Sequence, residues 1–212
     1  MNILVIAPHP DDETIGCGGA LCLHVARGDR VVVVFLTSGE LGLKDLAPQK
    51  AWKVRESEAK AAARQLGIAR LEFLRLPDWA VGEHIKKGAR RLLPIIRREV
   101  PEMVYLPHPR DWHPDHQAAL PLLRAALRGV RLPAVELRAY EVWTPFEEFD
   151  YVTDISRVMR RKVRALRAHR SQLGEFDYER AVLGLNQYRG ALARKCAYAE
   201  VFQSVYIKTG RH

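Results

Sequence analysis

Short apolar runs alternate with longer segments of helical periodicity along most of the chain. The runs at residues 3–7 and 31–36 contain only apolar side chains, which is typical of strands buried on both faces of a sheet. Strands alternating with helices from end to end predict an α/β fold: a Rossmann-like, doubly wound, mostly parallel sheet with helices on both faces. The remaining strands are predicted at residues 71–76, 103–106, 135–143, 151–154 and 201–207.

The intervening segments are predicted as helices. Thr14 is the expected N-cap of the first helix, and Gly28 and Gly67 stand where the first two helices should end. Gly16-Cys17-Gly18-Gly19 lacks the full dinucleotide fingerprint and predicts close packing of the first helix on the sheet. No linker or repeat interrupts the 212 residues, so residues 1–212 are expected to form one domain. The predicted helices are 14–27, 52–66, 83–99, 117–127, 156–169 and 179–198.

Composition places the chain among ordinary globular proteins, with 48% hydrophobic and 28% charged residues. Three cysteines without Cys-x-x-Cys spacing cannot form a closed disulfide framework, and Cys17 and Cys22 are expected to be buried as small apolar residues. No apolar run approaches the roughly 20 residues of a membrane helix, and nothing basic precedes the first run. A cytoplasmic protein without a membrane span is therefore expected.

A net charge of +9 raises the question of an anionic partner. The excess is mostly arginine, spread over several predicted helices and concentrated in residues 157–170. No aromatic side chains interleave with that run, so it predicts a solvated helix face, and no nucleic-acid partner is expected.

Two polar loops carry the candidate chemistry. Pro8-His9-Pro10-Asp11-Asp12-Glu13 follows the first strand, and the segment 107–116 follows the fourth. In the common strand order 3-2-1-4-5, these two strands are neighbours at the topological switch point, so both loops open onto one crevice.

The loops contain matched units, His9-x-x-Asp12 and His113-x-x-His116. Two histidines and an aspartate, with a fourth position left for water, are typical of a catalytic zinc site. Asp11 and Asp12 are both candidates for the carboxylate ligand, and either can instead cap the helix. A free carboxylate can accept a proton from the water, and a nearby histidine can support an oxyanion. These residues predict metal-assisted hydrolysis of an amide or ester, with His108 a less favoured ligand.

The same motifs resemble the PIG-L/LmbE-like family of zinc-dependent N-acetylglucosaminyl deacetylases, and the resemblance extends over nearly the whole chain. The loop Thr37-Ser38-Gly39-Glu40 and the helical Arg55-Glu56-Ser57-Glu58 also match it. Pro8 stands where the family usually has alanine, a departure that removes no ligand.

The resemblance implies a role for each site residue. It implies one Zn²⁺ per chain, although another divalent metal is an alternative. Arg55 has a second interpretation, a helix-surface ion pair with Glu58 at i,i+3 spacing. The implied roles are metal ligation by His9, Asp12 and His116, general base catalysis by Asp11, oxyanion stabilisation and leaving-amine assistance by His113, tuning of the charge of His113 by Asp115, and substrate contact by Arg55.

The favoured function is a zinc-dependent hydrolase that removes the N-acetyl group from a GlcNAc-type sugar or sugar conjugate, a small-molecule partner. The first alternative is a metal-dependent amidohydrolase or phosphoesterase on another substrate, and a basic nucleotide-binding Rossmann module is the second. Helical faces with tryptophan and arginine leave room for a homo-oligomer. The rest of the substrate is expected to contact the loops at 42–50, 79–83 and 144–150.

Overall fold

The computed structural model describes residues 1–128, 134–174 and 176–207. Its strands are β1 (Asn2–Ala7), β2 (Arg30–Phe35), β3 (Arg70–Phe73), β4 (Met103–Pro107), β5 (Glu136–Tyr140), β6 (Tyr151–Asp154) and β7 (Ala199–Ser204). Its α-helices are α1 (Asp12–Ala26), α2 (Pro48–Leu66), α3 (Ile85–Glu99), α4 (Pro114–Leu127), α5 (Met159–Leu166) and α6 (Tyr178–Arg189).

The strands form one sheet in the order β3-β2-β1-β4-β5-β7-β6. β1 to β5 pair in parallel, whereas β7 lies antiparallel between β5 and β6. The predicted α/β fold and the order 3-2-1-4-5 are confirmed. Because β1 and β4 are neighbours, with Ile3 opposite Met103, the two polar loops leave the same edge of the sheet side by side.

Helices cover both faces, which explains why the central strands are continuously apolar. Leu4 and Ile6 of β1 pack in one core cluster with Leu92 of α3 and Leu122 of α4. The alternate residues of β1 join a second cluster, with side chains from α1 and α2, on the other face.

Several predicted boundaries are wrong. α1 begins at Asp12, and Asp11 rather than Thr14 occupies the N-cap position. α5 ends at Leu166 instead of reaching residue 169. α6 ends at Arg189, and a π-helical turn follows over Gly190–Arg194. A Cβ on Gly190 would lie 2.6 Å from the carbonyl oxygen of Cys196, so the returning chain packs directly on the backbone of this turn.

Glycines of α1 lie in close contact with the sheet and the following loops, as predicted. A Cβ on Gly16 would overlap the Tyr140 ring, and one on Gly19 would lie 2.6 Å from Ile155. Cys17 and Cys22 on the same helix are fully buried. Only a helix without side chains at these points can approach so closely.

A buried ion pair joins α1, α5 and β7. Lys162 of α5 is fully buried, and its Nζ donates to Glu200 Oε1 at 2.7 Å, to the Ile15 carbonyl at 2.7 Å and to Asn186 Oδ1 at 2.9 Å. The Glu200 carboxylate also accepts the backbone N–H groups of two α1 residues, Gly19 and Ala20, each at 2.7 Å. These bonds use all three ammonium protons.

One face of the basic run at 157–170 is buried, and most of its arginines lie on the other face in solvent, as expected of a solvated helix face. Its exposed arginines are Arg157, Arg160, Arg164, Arg167 and Arg170. Among the described residues, no helix combines the length and apolarity needed to cross a bilayer.

Candidate metal centre and active site

The loop after β1 turns sharply before α1 begins. Asp11 has φ 136° and ψ −29°, a backbone conformation that residues with a side chain rarely adopt. The His9 backbone N–H donates to Asp12 Oδ2 at 2.8 Å, and the Asp11 N–H donates to Glu13 Oε2 at 3.2 Å. Backbone strain of this kind is of order 1–3 kcal/mol and persists where surrounding contacts hold it, often at functional sites.

Three donor atoms from the two loops converge on one point. His9 Nδ1 lies 3.2 Å from Asp12 Oδ2, His116 Nε2 lies 3.2 Å from the same oxygen, and the two nitrogens are 3.4 Å apart. Ligands at about 2.0–2.1 Å from a tetrahedral Zn²⁺ are separated by about 3.3 Å. The three atoms therefore already have the spacing of one face of a tetrahedral site.

Carboxylates stand behind both histidines. His9 Nε2 lies 3.1 Å from Asp78 Oδ1 and 3.3 Å from Asp115 Oδ2, while His116 Nδ1 lies 3.6 Å from Asp111 Oδ2. A metal-binding histidine usually donates its second ring N–H to such a group, which fixes the tautomer and strengthens the ligand. The arrangement leaves His9 Nδ1 and His116 Nε2 as the metal-facing atoms.

Two other groupings are also close enough to bind a cation: His9, His113 and His116, and His9, Asp78 and Asp115, each with donor atoms within 4.8 Å. In the second grouping, the aspartates approach His9 through Nε2, opposite the nitrogen shared with His116. In the first, His113 Nδ1 already accepts the Asp115 backbone N–H at 3.2 Å. The set with Asp12 supplies a carboxylate beside two imidazoles, with its three donor atoms 3.2–3.4 Å apart.

The site gathers six buried acids around its histidines. Burial lowers the pKa of His9, but hydrogen bonds to the surrounding aspartates outweigh it and raise the pKa well above its usual value. Burial also lowers the pKa of His116, yet Asp12 raises it to about 9. The field that favours imidazolium equally favours a divalent cation. The buried acids are Asp11, Asp12, Glu13, Asp78, Asp111 and Asp115.

The Asp11 carboxylate pairs with Arg55 instead of joining this ligand set. The Arg55 guanidinium is buried and donates to Asp11 Oδ2 at 2.9 Å, to the Pro10 carbonyl at 2.7 Å and to the Gly39 carbonyl at 3.0 Å. The alternative surface pair of Arg55 with Glu58 is wrong, because Glu58 accepts hydrogen bonds from Ser171. Burial raises the pKa of Asp11 to about 7, against the opposing charge of Arg55.

His113 occupies the N-cap position of α4, with its ring centre 4.7 Å from that of His9. Burial, followed by the charges of His9 and His116, lowers the pKa of His113 to about 4. Since Nδ1 accepts a backbone N–H, the neutral ring carries its proton on Nε2. The Asp115 carboxylate contacts His9 and the backbone N–H groups of residues 79 and 81, so its influence on His113 is electrostatic and indirect.

The sequence interpretation missed two of these residues. Asp78 follows β3 at the same edge of the sheet as the other loops, and that position was its only signal. Asp111 lies inside the second polar loop, where it accepts the backbone N–H groups of His113, Trp143 and Thr144. His108, a weaker ligand candidate, packs instead against Phe146 with ring centres 4.5 Å apart.

The model of the PIG-L family, described as GlcNAc-PI de-N-acetylase, matches residues 4–127, more than half of the chain and both polar loops. The chain belongs to the PIG-L family.

Other PIG-L-type proteins support the assignment. The diacetylchitobiose deacetylase of Thermococcus kodakarensis is 30% identical over 84% of this chain and 72% of its own length. A conserved protein of Thermus thermophilus has a crystal structure with a TM-score of 0.84 and 32% identity, covering 100% of both chains.

The fold is not confined to deacetylases. The 4-carboxy-2-hydroxymuconate hydratase of Pseudomonas putida matches with a TM-score of 0.78 and 26% identity, covering 100% of this chain and 99% of its own. An activity for this PIG-L member must therefore be argued from its site.

Proposed function

We propose that this protein is a zinc-dependent deacetylase that hydrolyses the N-acetyl group of a GlcNAc-type sugar or sugar conjugate. The observation that carries the proposal is the convergence of His9 Nδ1, Asp12 Oδ2 and His116 Nε2 within 3.4 Å of one another. Two imidazoles and a carboxylate are the donor set of many catalytic zinc sites. Membership of a family with deacetylase relatives gives the substrate class.

In this proposal, His9, Asp12 and His116 hold one Zn²⁺. When bound, the metal supplies a Lewis acid that polarises the acetyl carbonyl and lowers the pKa of a coordinated water to about 7. The buried carboxylates behind the histidines orient the ligands. Zn²⁺ is chosen over other divalent ions for its preference for nitrogen-rich, four-coordinate sites.

The chain's own residues perform the proton transfers. Asp11, held by Arg55 at 2.9 Å, accepts the proton of the attacking water. His113, neutral with its proton on Nε2, donates a hydrogen bond to the oxygen that becomes negative as the carbonyl is attacked. The amine then departs with the proton that Asp11 collected, and acetate and the free amino sugar are released.

The test combines acetate release from GlcNAc and its conjugates with metal content measured on the same samples. Asp11→Asn should retain one metal per chain and lose at least about a hundredfold in kcat, the usual contribution of a general base. His116→Ala should lose the metal itself. A full metal content in His116→Ala, or an undiminished rate in Asp11→Asn, would contradict these roles.

The alternative of a two-metal phosphoesterase lacks a specific observation in its favour, and a metal stoichiometry of two per chain would support it. The assignment of residues 1–212 to one domain, the location in the cytoplasm and the homo-oligomer stay predictions.

A further inference from the structure

The Glu13 carboxylate contacts the turn that carries Asp11. Glu13 is buried, with 1% of its surface exposed, and its Oε2 accepts the backbone N–H of Asp11 at 3.2 Å. Its Oε1 accepts the hydroxyl of Thr14 at 2.7 Å. Both oxygens are therefore engaged, and one of them binds the backbone of the proposed general base.

Asp11 is fixed at three points. Its N–H is held by Glu13 and its side chain by Arg55. Its carbonyl oxygen accepts the N–H groups of Thr14 and Ile15, each at 2.9 Å. The φ angle of 136° describes rotation about the bond between the amide nitrogen and Cα, so the Glu13 contact restrains the strained angle directly. Without that contact, φ would relax towards the negative values that residues with a side chain prefer, and the Asp11 side chain would turn with it.

His169 stands beside the same carboxylate. Its Nε2 lies 3.9 Å from Glu13 Oε1, beyond hydrogen-bond distance, and both ring nitrogens lack a hydrogen-bond partner among the described residues. The ring has only 1% of its surface exposed, and burial lowers the pKa of His169 to about 3, so the ring is neutral. It therefore keeps water away from Glu13 without pairing with its charge, and a hydrogen bond in such surroundings is stronger than one in water.

A buried acid at this position also has a purely structural explanation. Glu13 lies in the first turn of α1, where a carboxylate stabilises the positive end of the helix dipole. That role requires a negative charge near the helix end, but it requires no acceptor for the Asp11 N–H. The two explanations therefore differ in whether the charge or the acceptor matters.

We propose that Glu13 is a positioning residue for Asp11: it holds the Asp11 backbone in the strained conformation that directs one carboxylate to Arg55 and leaves metal binding to Asp12. This inference rests on the proposed deacetylase activity, in which Asp11 accepts the proton of the attacking water. Glu13 acts only through Asp11, so its contribution to the rate disappears when Asp11 cannot act as a base.

The experiment compares Glu13→Gln with Glu13→Met, two side chains of similar size. The glutamine oxygen can accept the Asp11 N–H while its NH₂ group donates to Thr14, so Glu13→Gln should keep kcat within about threefold of wild type. Glu13→Met offers no strong acceptor. It should lower kcat by about tenfold or more with an unchanged metal content and a KM within about twofold, because a misplaced base slows the chemistry without weakening substrate binding.

Two further proteins separate positioning from general disruption. In the Asp11→Asn background, Glu13→Met should cause no further loss of kcat, since the base that it positions is already absent. Glu102→Ala is the matched control. It removes a carboxylate from the backbone N–H of Asn2, at the opposite end of β1 from the site, and should leave kcat unchanged.

Hydrogen exchange of the Asp11 amide, followed by NMR on metal-free protein, gives a readout that needs no activity. Glu13→Met should exchange this amide at least about tenfold faster than wild type, while Glu13→Gln should protect it. Equal protection in wild type and Glu13→Met would overturn the proposal, as would a further tenfold loss of kcat from Glu13→Met in the Asp11→Asn background.

A tenfold loss of kcat in Glu13→Gln would also overturn the proposal, even if Glu13→Met fails to fold, because the charge rather than the acceptor would then matter. If wild-type protein releases no acetate from any N-acetylated sugar, the proposed function fails. The amide exchange of Asp11 still decides in that case whether Glu13 holds its backbone.

Discussion

Replacing Lys162 with methionine should strongly destabilise the fold. The change removes a fully buried ammonium group and leaves the Glu200 carboxylate without its cation. It also leaves the Ile15 carbonyl and the Asn186 side chain without a donor. Breaking a buried ion pair on one side typically costs about 3–5 kcal/mol, which for a chain of this length lowers Tm by roughly 6–20 °C. Urea unfolding followed by circular dichroism gives the free energy of unfolding directly.

A double-mutant cycle with Glu200→Gln separates the lost pair from general disruption. In the double variant no charge is buried alone, so it should recover about 1–3 kcal/mol relative to the sum of the single changes. Arg167→Met, which breaks an exposed ion pair with Glu179 next to α5, is the control and should leave the free energy of unfolding unchanged. A loss below about 1 kcal/mol for Lys162→Met, or additive single changes, would refute the reasoning.

Two further predictions concern the site. In Arg55→Met the acid limb of kcat/KM should move to higher pH, because burial raises the pKa of Asp11 and the variant lacks the guanidinium that opposes this. A pH profile of the metal-loaded variant checks it, and an unmoved limb with a raised KM would instead identify Arg55 as a substrate contact. Metal affinity should increase as the pH rises towards about 9, since His116 has a pKa of about 9 and must lose its proton to bind the ion. Competition with a chromophoric chelator at several pH values measures this, and an affinity independent of pH would contradict it.

The central strands and the meeting of the two loops followed from the sequence, because both depend on local patterns and one topological rule. Continuous apolar runs marked β1 and β2, and the neighbouring positions of β1 and β4 brought His9 and His116 together. The position of β7 in the sheet could not be predicted from the sequence. An antiparallel strand inserted between β5 and β6 depends on pairing across long sequence distances, which leaves no periodicity to detect.

Contacts between side chains far apart in the sequence could not be predicted either. Arg55 has a nearer acid in sequence, Glu58, yet it binds Asp11, 44 residues away. Asp78 stands without neighbouring ligand-type residues, and only the folded loop brings it within 3.1 Å of His9. The strain at Asp11 was also unpredictable, since aspartate gives no sign of a φ of 136°.

The hydrogen bonds from α1 to Glu200 of β7 can form only after most of the chain between them has been synthesised. Glu200 follows Gly19 by 181 residues, so a ribosome adding about 5–20 residues per second makes it roughly 10–35 s later. Until Glu200 is made, the N–H groups of Gly19 and Ala20 lack this acceptor. Lys162 is made 38 residues before Glu200 and lacks its anion over that shorter time. His9 and Asp12 thus leave the ribosome well before Glu200, while the helix that begins at Asp12 is secured by that later residue.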